Sequence, residues 1–213
     1  MPLSGEALNE QGNAITRGTK PSNLTEWVTI ASTEKTVEPE ETTAPARKIK
    51  KTGHGLNTGD IIVFTELNAK TTFGEAVGGL VIGAPYYVRK VSTSEFSLAY
   101  TKAQAESATE GEWIEWTVTI KATTKLAKLL EHTGAKTKRI KTGFAAAANL
   151  TNEDSTAREI EASGSVTVKW ALYFSAETSG TFMGVEAVTE QPMIEGNIYR
   201  VTTSKVLQNA YIV

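Results

Sequence analysis

The stretch SVTVKWALYFSA, Ser165–Ala176, sets Val166, Val168, Trp170, Leu172 and Phe174 at every second position, with Thr167, Lys169, Ala171, Tyr173 and Ser175 between them. A period of two is the spacing of a β-strand, whose successive side chains point to opposite faces, and an α-helix would scatter these residues around its axis. The five large side chains are therefore read as one face of a strand and as the main core. ETSG then marks a turn, TFMGVEAV returns as a second strand, and IYRVTTSKVLQNAYIV closes the chain as further β-structure.

Working upstream, EWVTIAS (Glu26–Ser32) reads as a short strand around Trp27 and Ile30, and TEKTVEPEETTAPARK as a polar, proline-bearing loop. From Gly53 to Thr101 the order is strand, turn, strand: DIIVFTEL, the glycine-rich FGEAVGGLVIGAP, then YYVRKVSTSEFSLAYT with Phe96, Leu98 and Tyr100 in alternation. KAQAESATEGE reads as a charged connector and WIEWTVTIKA as one more strand through Trp116, Val118 and Ile120. Two segments read as short helices. One is GEALNEQGNAI, capped by Ser4; the other is TTKLAKLLEHTG, with leucines at 126, 129 and 130, Thr124 as cap and Gly134 as stop.

A basic motif occurs twice, as ARKIKKTGHG from Ala46 and TKRIKTGFA from Thr137, and brackets the middle of the chain. The expected organisation is a mainly β chain: a discontinuous β-sandwich from residues 1–50 and 126–213, with a small β-module, 51–125, inserted between its halves.

Bulk properties narrow the chemistry. The 213 residues are 40% hydrophobic, enough for real cores. Twenty-two basic against 24 acidic residues leave a formal charge of -2, so nucleic acid and anionic membranes are not expected partners. The absence of cysteine removes disulfides, thiolate zinc sites, iron–sulfur clusters and cysteine nucleophiles. MPLSGEALNEQGNAITRG does not read as a secretory signal, and no run of about 18 apolar residues suggests a membrane span.

The segment that most resembles a site is GHGLNTGDIIVF, Gly53–Phe64, which holds His54, Gly55, Gly59 and Asp60. Its glycines miss the G-x-G-x-x-G spacing of a dinucleotide cradle, and no G-x-S-x-G elbow supplies a nucleophile. A tight turn is the favoured reading, with the glycines at positive φ and Asp60 bonding to backbone. His132 lacks a second histidine at helical spacing and is expected to help end its helix. EPEE (Glu38–Glu41) and NED (Asn152–Asp154) lack the ligand spacing of a calcium loop and read as solvated loops. No metal, cofactor or catalytic set is expected. NLT at Asn23 and Asn149 matches the glycosylation pattern without a secretory context.

HGLNTGDIIVF…GLVIGAPYYVRKVSTSEFSLAYT resembles a small β-module that recurs in tail and other virion proteins of tailed bacteriophages. His54, Gly59, Asp60, Tyr87, Val88, Phe96 and Leu98 carry the match, and the role it implies for each is structural. The flank KTGFAAAANLTNEDSTAREIEASGSVTVKWALYFSAETSGTFMGVEAV is similar to the β-sandwich of small phage proteins of the tail-fibre or minor-tail kind. Val166–Val185 corresponds to that family's central strand and turn, and VTIASTEKTVEPEE to its early strand. Where the family carries aspartate–alanine after the central strand, this chain has Ser175-Ala176.

The resemblance implies a non-enzymatic structural protein of a virion, made in a bacterial cytoplasm. It would act as a homo-oligomer through contacts with other virion proteins, on the tail or as decoration of the major capsid protein. The alternative is a carbohydrate-binding module for a host-surface glycan, for which Tyr86, Tyr100 and Trp113 are the candidate exposed aromatics. A depolymerase is the third possibility, and no carboxylate pair stands out for it.

Overall fold

The computed structural model describes residues 27–142, 151–154, 156–201 and 204–207, with 151–154 and 204–207 described by backbone alone. Among the described residues the structure is mainly β with little helix, so sheet pairing decides the architecture. The helix proposed after Ser4, the NLT at Asn23 and Asn149 of the second NLT lie outside the described residues. The chain divides into two compact units, one of Met1–Thr33 with Leu130–Val213 and the other of Glu34–Leu129.

The Glu34–Leu129 unit contains the end of β1 (Trp27–Val37), β2 (Ile49–Lys50), β3 (Ile61–Glu66), β4 (Ala76–Val77), β5 (Leu80–Val81), β6 (Pro85–Lys90), β7 (Glu95–Ala99), a short helix α1 (Lys102–Glu106) and most of β8 (Lys125–Glu131). Its antiparallel sheet runs β8-β3-β6-β7-β2, with Ile62 opposite Tyr86 and Val88 opposite Leu98. The core gathers around Phe64, Tyr86, Phe96 and Trp116, all fully buried. Residues 34–50, expected with the sandwich, belong to this unit because Val37 and Ile49 enter that core and Thr42 and Ala46 bridge to Ile120 and Trp116.

WIEWTVTIKA is not a continuous strand. Trp116 and Ile120 reach the core through isolated bridges, while Val118 between them stays half-buried. The expected helix TTKLAKLLEHTG is also corrected: Lys125–Glu131 forms β8, paired to β3 with Val63 opposite Ala127 and Phe64 opposite Leu126. A helix this short is marginal by itself, and a ladder that buries Leu126 and Leu129 on opposite faces outweighs its propensity. The one α-helix among the described residues lies instead in KAQAESATEGE, which also holds a 3-10 turn at Glu110–Glu112. Thr101 and Gln104 form a reciprocal capping box, and Ala105 is fully buried as α1 packs against β6 and β7.

In the other unit, β1 pairs antiparallel with β12 (Val166–Phe174), and β12 with β13 (Phe182–Met193). β9 (Ile140–Lys141) also pairs with β1. A second layer is formed by β11 (Arg158–Glu161) on β14 (Ile198–Val201), and β10 (Thr151–Asp154) pairs separately with β15 (Ser204–Leu207). Val28, Ile30, Val168 and Tyr173 of the first layer meet Ile160 and Tyr199 of the second, the two-layer arrangement of a β-sandwich. The Tyr199 hydroxyl donates to the Thr189 carbonyl at 3.0 Å and ties β14 to β13.

The face read from SVTVKWALYFSA is interrupted. The β12–β13 register shifts between Val168 and Trp170, where three residues of β13 stand against Lys169, and across this point the inward phase of β12 reverses, with Val168 sharing its core with Ala171 and Tyr173. Trp170, Leu172 and Phe174 occupy the opposite face and are buried there, at 4%, 2% and 6% exposure, so this half of β12 is covered on both sides. No helix among the described residues is long and apolar enough to cross a membrane.

Candidate functional site

The His54–Asp60 segment is a turn clasped onto the β6–β7 hairpin. The ring of His54 is 1% exposed. Its Nδ1 accepts the Leu56 backbone N–H at 3.0 Å, which places the ring proton on Nε2, and Nε2 donates to the Ser92 carbonyl at 2.9 Å. Phe96 packs beside it at 5.2 Å between ring centroids. With both nitrogens committed to backbone and the ring sealed, His54 has no free position from which to take a proton from a substrate.

Asp60 closes the same turn. Its Oδ2 accepts the Asn57 N–H at 2.7 Å, and its own N–H donates to the Asn57 carbonyl at 3.1 Å. Gly59, at φ +92°, holds a conformation that costs a side-chain-bearing residue, and its N–H donates to the Val88 carbonyl. Gly55, at φ +65°, leaves room for Lys35: a Cβ there would lie 2.8 Å from Lys35 Nζ, which donates to the His54 carbonyl.

Lys128 Nζ lies 3.1 Å from Asp60 and 2.9 Å from Glu34, with its side chain only 13% exposed. Burial works to lower the lysine pKa, but the hydrogen bonds and charges of Glu34 and Asp60 outweigh it, and the net shift is upward. A lysine so held is a cation that ties β8 to β1 and to the turn before β3, not a nucleophile.

The aromatic platform considered for glycans is not assembled. Tyr86 is 1% exposed and donates its hydroxyl neighbourhood to the core: Oη accepts the Val81 N–H at 2.7 Å. Trp113 is 8% exposed, with its Nε1 donating to the Ser107 carbonyl at 3.3 Å. Tyr100 is half-buried, packs against the same core 6.0 Å from Tyr86, and has its pKa raised by burial. The reading of these rings as exposed fails for Tyr86 and Trp113, which are buried, while Tyr100 stays half-exposed.

The remaining candidates disperse. His132 follows β8 instead of ending a helix; its N–H donates to the Ile30 carbonyl at 3.0 Å, while its buried Nε2 has no partner among the described residues. Asn152–Asp154 is strand β10, paired with Ser204–Val206, and not a loop. In EPEE, Glu40 accepts the Thr52 N–H at 3.0 Å, and that hydrogen bond holds its carboxyl below the usual value. Among the described residues no three histidines or carboxylates gather as a metal site.

One concave feature escaped the sequence reading. Arg139, at the start of the second basic motif's strand, binds Glu131 through Nε and Nη2, both at 3.0 Å, and donates to the Ala176 carbonyl at 3.2 Å. Its guanidinium stacks 3.3 Å above the Phe174 ring centroid. The pair lies in a cleft of about 500 Å³ that also exposes Thr133, Lys138 and Ser179. Glu131 gains its role only by meeting a residue across the 132–138 loop, and no spacing in the sequence signals that. The cleft offers hydrogen bonds and a neutralised charge pair, with no nucleophile positioned beside a base.

Compared with protein-family models, with curated proteins and with solved structures, the chain matches none.

Proposed function

We propose that this chain is a non-enzymatic structural protein of a tailed-bacteriophage virion, carried in several copies on the tail or as capsid decoration and acting through contacts with other virion proteins. The observation that supports it is the use of His54 and Asp60. The segment that most resembled a site spends both ring nitrogens and a carboxylate oxygen on backbone groups of its own turn and hairpin. That is the structural role implied by its likeness to the virion module, in which Tyr87, Val88, Phe96 and Leu98 supply the strands that the turn grips.

The glycan-binding alternative loses its support, since two of its three rings are core residues. The test is to image intact particles with a label coupled at Thr71–Thr72, an exposed position in the loop before β4. Label over the shell supports decoration, and label confined to the tail supports a tail component. Particles without label overturn the virion assignment.

A further inference from the structure

The sandwich unit closes its sheet edges unequally. In β13 the register passes from Trp170 opposite Ala187 to Val168 opposite Gln191, so Val188–Glu190 bulge against Lys169 alone, and Pro192 brings no N–H. Bulges and proline are the usual means of blunting an edge against a foreign strand. β14 has neither device.

Its hydrogen-bonding phase follows from one contact. Ala162 N–H donates to the Asn197 carbonyl at 2.8 Å, so with Ile160 opposite Tyr199 and Arg158 opposite Val201, it is Asn197, Tyr199 and Val201 that bond toward β11. The backbone N–H and C=O of Ile198 and Arg200 therefore point away from β11, and they take no partner among the described residues. A groove of about 420 Å³ runs beside them, with Val188 and Thr189 on its far wall. Ile194 and Ile198, 64% and 56% exposed, are the most exposed large hydrophobics among the described residues, and both lie at this corner.

We propose that β14 is a dimerisation edge. Two copies align β14 antiparallel about a two-fold axis at Tyr199, so that Ile198 of one exchanges backbone hydrogen bonds with Arg200 of the other. The charges favour a second copy over an unrelated strand. On the outer face Glu159 stands opposite Arg200, which it binds through Nε at 3.1 Å, and Glu161 stands opposite Ile198. The two-fold lays Arg200 of the second copy across Ile198 and toward Glu161, and the same contact repeats in reverse. Its apolar stem covers the exposed isoleucine and its charge joins Glu161, which Lys136 also contacts at 3.1 Å, with no like charges directly opposed across the two strands. This pairing rests on the register of β14 and is independent of the virion assignment.

Sedimentation velocity over a concentration series, with amide hydrogen exchange on the full chain, tests it. The expected result is a concentration-dependent dimer in which the Ile198 and Arg200 amides exchange more slowly than in the dilute monomer. Ile198→Pro removes an outward N–H while leaving every bond to β11, and should weaken the dimer by about tenfold or more. Should that variant misfold, Ile198→Lys, which sets a lysine directly against Arg200 of the second copy, should disperse the dimer in its place. A chain that stays monomeric throughout overturns the proposal. So does a dimer that leaves these amides unprotected, or protection that does not vary with concentration, which would place the edge under the chain's own residues.

Discussion

The two histidines occupy comparable places, each where the chain leaves or enters a strand, and they are used in opposite ways. His54 is sealed and both nitrogens are bonded, so the ring replaces a stretch of ladder by linking Leu56 to Ser92. His132 contributes its backbone to Ile30, while Nε2 is buried with no partner among the described residues. A buried polar ring stabilises only when its atoms are paired; unpaired, it carries the desolvation cost alone. The contrast separates a side chain that builds a turn from one that merely occupies space.

Substitution breaks or sharpens this contrast directly. His54→Ala leaves the Leu56 N–H and the Ser92 carbonyl unpaired in the interior and opens a space beside Phe96. Its expected cost is about 3 kcal/mol in urea unfolding. His132→Ala should change stability by less than about 1 kcal/mol, because it also removes an unpaired buried nitrogen. Equal losses at the two positions would mean that both rings serve the same purpose.

A second pair compares cations. Lys128 is held between Glu34 and Asp60 with little exposure, so Lys128→Met strands two carboxylates and should cost about 2 kcal/mol. Lys136, which meets Glu161 at 3.1 Å on an exposed surface, should tolerate the same change without a measurable shift. Denaturation midpoints of the two variants decide, and a silent Lys128→Met would reduce the triad to a surface contact.

Glycines give a third. Gly59→Ala must adopt φ near +92° and should lose about 1 kcal/mol. Gly164 has no positive φ and nothing within 4 Å of an added Cβ, so Gly164→Ala should be neutral or slightly stabilising. A costly Gly164→Ala would show a constraint that its backbone does not reveal.

These contrasts also mark what was legible in the residues. Alternation in SVTVKWALYFSA and in the segments from Ile61 to Ala99 announced strands, because a period of two is a local property of the chain. The register shift opposite Lys169 was not legible, since phase depends on the partner strand: Tyr173, in alternation with Leu172, faces the core. In TTKLAKLLEHTG the leucines at 126, 129 and 130 fit a helix by spacing; β3 alongside makes it a strand, with Leu130 left 50% exposed. The T-x-x-Q box at Thr101 is legible, but the charged residues that follow it give the segment the composition of a connector. At the turn, glycine spacing and Asp60 indicated the shape, whereas Ser92, Lys35 and Lys128 come from distant sequence that no motif ties to His54.

The smallest expected effect concerns pH and returns to buried polar atoms that are paired. Tyr199 sits between the sandwich layers, and burial, with the negative charge of Glu186 adding to it, raises its pKa above the ordinary 10.0. A raised folded-state pKa means that the fold prefers the protonated phenol. The stability it contributes is complete below the unfolded value and is lost as pH rises through the folded one. Unfolding midpoints should therefore decline above about pH 10. Part of that decline comes from Lys128, whose pKa is also raised, so the wild-type curve alone does not isolate the tyrosine. Tyr199→Phe removes one ionisation and also the hydrogen bond to Thr189, giving a lower midpoint at neutral pH with a flatter alkaline limb. Glu186→Gln keeps that bond, deletes the charge that Tyr173 also contacts, and should flatten the limb by a smaller amount. An alkaline limb unchanged in Tyr199→Phe would assign the decline to the other groups held above their ordinary values, Tyr100, Lys125, Lys128 and Lys136.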